Sequence, residues 1–146
     1  MSKEQILIQA LSKPIKIFSS KTTDSIYAHR DLKTLLEEAC RYYNLSRSHL
    51  TFYISSEIIK KVRTDVWYDT GGVSIPCFYG IMVIEAEPDS TINVGGVDLP
   101  LIVNSLYLWE SGKRIRYSHE NTAMLGFNIV PKSMLKSQDP VRWQEL

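Results

Sequence analysis

The chain has 146 residues, 44% of them apolar and 23% charged, with a formal net charge of +1. A chain of that length buries roughly two-thirds of its unfolded surface, which predicts one domain over residues 1–146, and the apolar fraction excludes a disordered chain. The near-zero charge gives no electrostatic ground for a nucleic-acid or membrane partner, and no apolar run approaches the roughly 20 residues of a membrane-spanning helix.

The first ten residues carry Lys3 and Glu4, and their apolar stretch runs only from Ile6 to Ile8. That is not the pattern of a signal peptide. Ile15 to Phe18 is a short β-prone run, Ser19 to Asp24 is turn-like, and Ser25 to Ala28 reads as a second strand. Leu32, Leu35, Leu36, Ala39, Tyr42 and Tyr43 then fall on one face of a helix. Asp31 supplies an N-cap carboxylate, and Asn44 suits a left-handed residue at the other end. Leu50 to Ile54 predicts a buried strand. Ser55 or Ser56 caps a short second helix, with Glu57 in its first turn and Ile58, Ile59 and Val62 facing inward.

The second half reads as β structure. Val73 to Ala86 is strongly apolar, and Pro76 and Gly80 within it predict an edge strand or a bulge. Glu87 to Ser90 is a turn with Pro88 at a favoured position, and Gly95-Gly96 makes another. Leu101 to Trp109 predicts a nine-residue strand and Glu110 to Lys113 a hairpin loop. Arg114 to Ser118 returns, and Thr122 to Val130 forms a last strand. Residues 132–146 form a polar C-terminal tail in which Val141, Trp143 and Leu146 are docking points. The fold class is therefore α+β: mostly antiparallel sheet, sandwich or barrel-like, with one amphipathic helix and one short helix in the N-terminal half.

No complete catalytic set is present. His29-Arg30-Asp31-Leu32-Lys33 matches the start of the protein-kinase catalytic loop, but that pattern needs Asn where Leu36 stands. Cys40 and Cys77 lie 37 residues apart, too far for a paired zinc motif and too few for a secreted scaffold. They predict reduced, buried thiols in a chain that stays inside a cell. Glu85, Glu87 and Asp89 are the densest acidic cluster; alternation puts the two glutamates on one solvated strand face. The sequence therefore assigns no catalytic residue, no metal ligand and no cofactor.

The most suggestive surface is the stretch around Gly112. Tyr107 and Trp109 share one face of their strand, and Arg114 and Arg116 share one face of the next. Aromatic and Arg side chains are enriched at protein interfaces, so these four residues are the candidate partner-binding set. The expected partner is another protein or further copies of the chain, rather than nucleic acid or membrane.

Two resemblances add expectations. The helix from Asp31, then LTFYIS, EIIKKV and FYGIMVIEAEPDSTINVGG, resembles the layout of capsid-type and other small virion proteins of tailed phages, with Gly80-Ile81-Met82-Val83, Pro88 and Gly95 as its centre. That resemblance implies a non-enzymatic structural protein, intracellular or incorporated in a virion. Separately, His29-x-Asp31 with a distal His119 has the ligand types of the 2-oxoglutarate oxygenases, whose final strands residues 101–109 and 124–129 resemble. Arg114 and Arg116 precede His119, where that family places its basic residue after the distal His. The alternative this implies is a degenerate cupin-like barrel that holds a small molecule.

Overall fold

The run Phe78–Glu85 is apolar at almost every position, and a strand can bury both of its sides only at the centre of a sheet covered on both faces. That is where it lies in the computed structural model, which describes residues 3–19, 28–46, 48, 50–55, 57–70, 78–131 and 143–145. The elements in chain order are α1 (Lys3–Ser12), β1 (Ile17–Ser19), α2 (Ala28–Tyr43), β2 (Leu50–Ser55), β3 (Tyr68–Asp69), β4 (Phe78–Glu85), β5 (Thr91–Val94), β6 (Val97–Pro100), β7 (Ser105–Glu110), β8 (Arg114–Tyr117), β9 (Ala123–Pro131) and β10 (Trp143–Glu145). They build a six-stranded sheet in the order β1-β7-β4-β9-β2-β10 and a four-stranded sheet in the order β3-β8-β5-β6. Every strand pair is antiparallel.

The larger sheet is the middle of three layers. Its first face carries Phe18, Phe52, Phe78, Met82, Leu106, Leu108, Leu125 and Phe127 against Leu32, Leu35, Leu36, Ala39 and Tyr43 of α2. Its second face carries Ile81, Val83, Tyr107, Trp109 and Met124 against Ile92, Val94, Ile115 and Tyr117 of the smaller sheet. The period-2 alternation of strands sends Leu106 and Leu108 to the helix, and Tyr107 and Trp109 to the other sheet. This is the expected mostly antiparallel α+β architecture, and its form is a sandwich rather than a closed barrel.

Local sequence explains the ends of α2. Asn44 adopts φ 55°, Leu45 N–H bonds the Cys40 carbonyl at 2.8 Å, and Asn44 N–H bonds that of Arg41 at 3.4 Å. This paired capping arrangement satisfies carbonyls that the helix end leaves open. The start differs from expectation: the helix begins at Ala28, so Asp31 lies inside its first turn and Ala28 is helical rather than part of a strand. Helix α1 was not expected. It places Ala10 in the core but leaves Ile8 in solvent, so its sequence lacks a clean apolar stripe.

The expected short helix after β2 does not form. Residues 57–62 run extended, with Ile58 and Ile59 exposed. Along β9, the pairing with β2 covers only residues 127–131. Further along, Ile59 exchanges two backbone hydrogen bonds of 2.9 Å with Met124, and Val62 N–H bonds the Glu120 carbonyl at 3.0 Å. The segment thus satisfies backbone groups of β9 and its preceding turn, which a helix here would leave without these partners. Ser55 does not cap a helix either; its hydroxyl bonds the Glu57 carbonyl at 2.8 Å in a local turn.

Three further expectations are corrected in the β half. Strand β4 is central, not an edge, and its register shift falls between Val83 and Glu85 rather than at Gly80. Only Ser105–Glu110 of the nine-residue strand forms, because residues 101–104 cross from one sheet to the other, with Asn104 at φ 60°. The stretch 110–113 is not a hairpin, since β7 belongs to the larger sheet and β8 to the smaller. The Gly95-Gly96 turn does join a hairpin, β5 to β6, and both glycines have positive φ (56° and 93°), as a two-residue turn matched to the strand twist requires. In the C-terminal tail, β10 returns to pair with β2. Cys77 and residues 20–27, 132–142 and 146 lie outside the described residues.

Candidate functional site

The four residues singled out from the sequence separate into two environments. Tyr107 and Trp109 are buried between the sheets, at 0% and 2% exposure, so they are not contact residues of the folded chain. Each instead fastens a connection. The Tyr107 hydroxyl donates to the Pro100 carbonyl at 2.6 Å and accepts the Ile102 N–H at 2.8 Å, holding the crossing from β6 to β7. Burial pushes its pKa up to about 12, against a smaller lowering by the Ile102 hydrogen bond. Trp109 Nε1 donates to Thr70 Oγ1 at 3.2 Å, and Thr70 Oγ1 donates to the Lys113 carbonyl at 2.5 Å. The Thr70 carbonyl accepts from Ser111 Oγ at 2.7 Å and Gly112 N at 2.9 Å, so Thr70 organises the whole turn from β7 to β8.

Arg114 and Arg116 stand in solvent on the outer face of the smaller sheet. Ile115 and Tyr117 point into the core, and the alternation of β8 turns both arginines the other way. Arg114 forms a 3.5 Å ion pair with Asp69 of β3. Arg116 lies over the Trp67 ring at 5.7 Å from its centroid and donates from Nε to the Thr64 carbonyl at 3.0 Å. Such stacking holds the planar guanidinium in place. Beside it, Asn93 Nδ2 donates to Asp98 Oδ1 at 2.9 Å, while Asn93 Oδ1 accepts the Gly96 N–H at 2.9 Å. Arg63 and Asp65 form a two-bonded ion pair nearby at 2.9 and 3.1 Å, and that hydrogen bonding lowers the Asp65 pKa. Together Thr64, Trp67, Thr91, Asn93, Asp98 and Arg116 line a shallow depression of about 410 Å³.

Trp67, Asn93 and Asp98 join Arg116 on this face without having been placed there from the sequence. The in-phase alternations Ile92-Asn93-Val94 and Ile115-Arg116-Tyr117 carry the signal for Asn93. Reading it requires knowing that β5 pairs with β8. The other motifs disperse. His29 and Asp31 belong to the first turn of α2, on one side of the larger sheet. His119 Nδ1 sits 2.6 Å from Ser118 Oγ, which accepts the Thr91 N–H on the other layer. Glu85 ends β4, Glu87 accepts the Asn121 N–H at 3.3 Å, and Asp89 occupies the turn at φ 61°.

No helix among the described residues is long and apolar enough to cross a membrane. Comparison with known proteins finds no matching family model, no matching curated protein and no matching solved structure.

Proposed function

We propose that this chain is a non-enzymatic assembly protein whose contact surface is the outer face of the smaller sheet. One observation carries the reading: the central strands β7, β4 and β9 of the larger sheet are covered on both faces by the chain itself, whereas the described residues leave the outer face of the smaller sheet to solvent. That face presents an Arg–Trp pair, the residue types in which interface energy concentrates. Thr64 and Trp67 already restrain the Arg116 side chain, which lowers the ordering cost of binding. Asp65, Asp69 and Asp98 interleave with the arginines. A mixed pattern of this kind suits a protein partner better than a phosphate backbone. The space between the sheets, where a cupin-like binder would hold a small molecule, is filled by Tyr107, Trp109, Ile92 and Met124. The resemblance to small virion proteins supports a particle as the setting, although residues 57–62 lack the helix of that layout.

The test is velocity sedimentation of an extract from cells that make the protein. The chain is expected in a species heavier than the monomer, and Trp67→Ala with Arg116→Ala should release it without changing the melting temperature of the purified protein. Co-sedimentation of the double variant at wild-type levels, or a wild-type chain that sediments alone, would overturn the reading.

A further inference from the structure

We infer that the partner of this face is a second copy of the same chain, paired about a twofold axis that runs along β5. The inference rests on the assembly reading and adds the partner's identity. It comes from the order of charges across the smaller sheet. Arg116 of β8 stands opposite Asn93 of β5, and Asn93 stands opposite Asp98 of β6. One row across the outer face therefore reads positive, neutral, negative, with the two charges roughly 10 Å apart at the backbone, or two strand spacings.

Two such faces meet through a twofold axis lying in the plane between them, as any contact between identical patches requires. With that axis along β5, β8 of each copy lies over β6 of the other. Arg116 then meets Asp98 of the second copy, Asp98 meets the second copy's Arg116, and the two Asn93 side chains face each other. An axis along β8 would set Arg116 against Arg116, and an axis along β6 would set Asp98 against Asp98. The charge row thus selects one pairing and disfavours its neighbours.

Both charges are held ready. Arg116 Nε is engaged by the Thr64 carbonyl, so the terminal amino groups are the donors that a carboxylate would meet. Asp98 is fixed through one oxygen by Asn93, whose own oxygen is held by Gly96. The patch is small. About the β5 axis the three strands β8, β5 and β6, of four residues each, overlap over roughly 14 by 13 Å, below the ~800 Å² per partner of a standard interface. The dimer is accordingly weak, sensitive to salt, and favoured where copies are concentrated.

The experiment is sedimentation equilibrium of the purified chain over rising concentration, at low and high salt, with two variants. The wild type is expected to show a monomer–dimer equilibrium that salt weakens. Arg116→Asp and Asp98→Arg should each weaken self-association by about tenfold or more, since each creates two like-charged contacts. Mixed in equal amounts, the two variants should regain a heterodimer, because every contact between them is again opposite in sign. An unfolded variant could not regain it. A wild type that stays monomeric at its highest soluble concentration, variants that dimerise as the wild type does, or a mixture that fails to pair would each overturn the inference. A monomeric wild type whose heavier species in extracts still depends on Arg116 and Trp67 would leave the assembly reading standing with a different protein as partner.

Discussion

Tyr107 of the larger sheet is bonded to Pro100 of the smaller one: its hydroxyl donates to the Pro100 carbonyl across 2.6 Å. The same oxygen accepts the Ile102 N–H at 2.8 Å, so one phenol holds both sides of the crossing between sheets. Tyr107→Phe keeps the ring packing but leaves a carbonyl and an N–H without this partner. Both bonds are part-buried and water can reach the groups left behind, so the loss is about 1 kcal/mol. Urea denaturation is expected to show that loss as a lower midpoint with an unchanged slope.

Trp109 and Arg114 lie five residues apart in sequence and in opposite environments. Trp109→Ala removes a buried ring and the donor to Thr70, and large-to-small changes of this kind cost about 3–5 kcal/mol. Arg114→Ala touches only an exposed ion pair at 3.5 Å and should change stability by less than about 0.5 kcal/mol. Thermal melts of the two variants distinguish these placements; equal effects would contradict the burial of Trp109.

Gly80 is set by backbone proximity. A Cβ at this position would lie 2.3 Å from the Tyr107 carbonyl oxygen and 2.5 Å from Leu108 Cδ2. The first of these is main chain of the neighbouring strand and cannot swing aside. Gly80→Ala should therefore force β4 and β7 apart and destabilise by at least the 1–3 kcal/mol typical of an overpacked core. Hydrogen exchange should show the loss first in the amides of β7. Unchanged protection there would argue against this close approach.

Alkaline pH should unfold the protein earlier than its lysines and arginines would require. Burial pushes the phenols of Tyr43 and Tyr107 up to about 12 from an ordinary value near 10, and pushes Tyr117 up as well. Between those values the folded chain keeps protons that the unfolded chain has released, so ionisation favours unfolding. The stability from these phenols is fully present below about pH 10 and is lost as the pH rises toward 12. Tyrosinate absorbance followed together with denaturation should show buried phenols ionising only as the structure is lost. Ionisation at the ordinary value in a folded chain would contradict it.

How far the sequence carried the architecture depends on whether the signal was local. The stripe Leu32-Leu35-Leu36-Ala39-Tyr43 and the left-handed Asn44 are local, and α2 ends where they indicate. The Gly95-Gly96 turn is equally local. The extended course of Ile58 and Ile59 is not, because it depends on Met124 lying alongside at the open edge of β9. The candidate surface shows the same division. Alternation paired Tyr107 with Trp109 and Arg114 with Arg116 correctly within each strand. It could not reveal that β7 and β8 enter different sheets, which puts the aromatic pair inside and the arginines outside. Nor could it supply Trp67 and Asp98, which reach the face through β3–β8 and β5–β6 pairing.

The position of Pro100 on the outermost strand of the smaller sheet has a consequence for crowded conditions. Val94 and Val97 close the two-residue turn, and Leu101 N–H bonds the Ser90 carbonyl at 2.9 Å, so residues 97, 99 and 101 direct their main-chain groups inward. Asp98 and Pro100 direct theirs outward, and proline has no N–H to give. The rim of β6 therefore exposes a single amide donor, flanked by a carboxylate. A strand arriving from another molecule would find too little to zip onto. Copies brought to high density are steered away from end-to-end fibre growth through this rim, toward contacts that close on themselves.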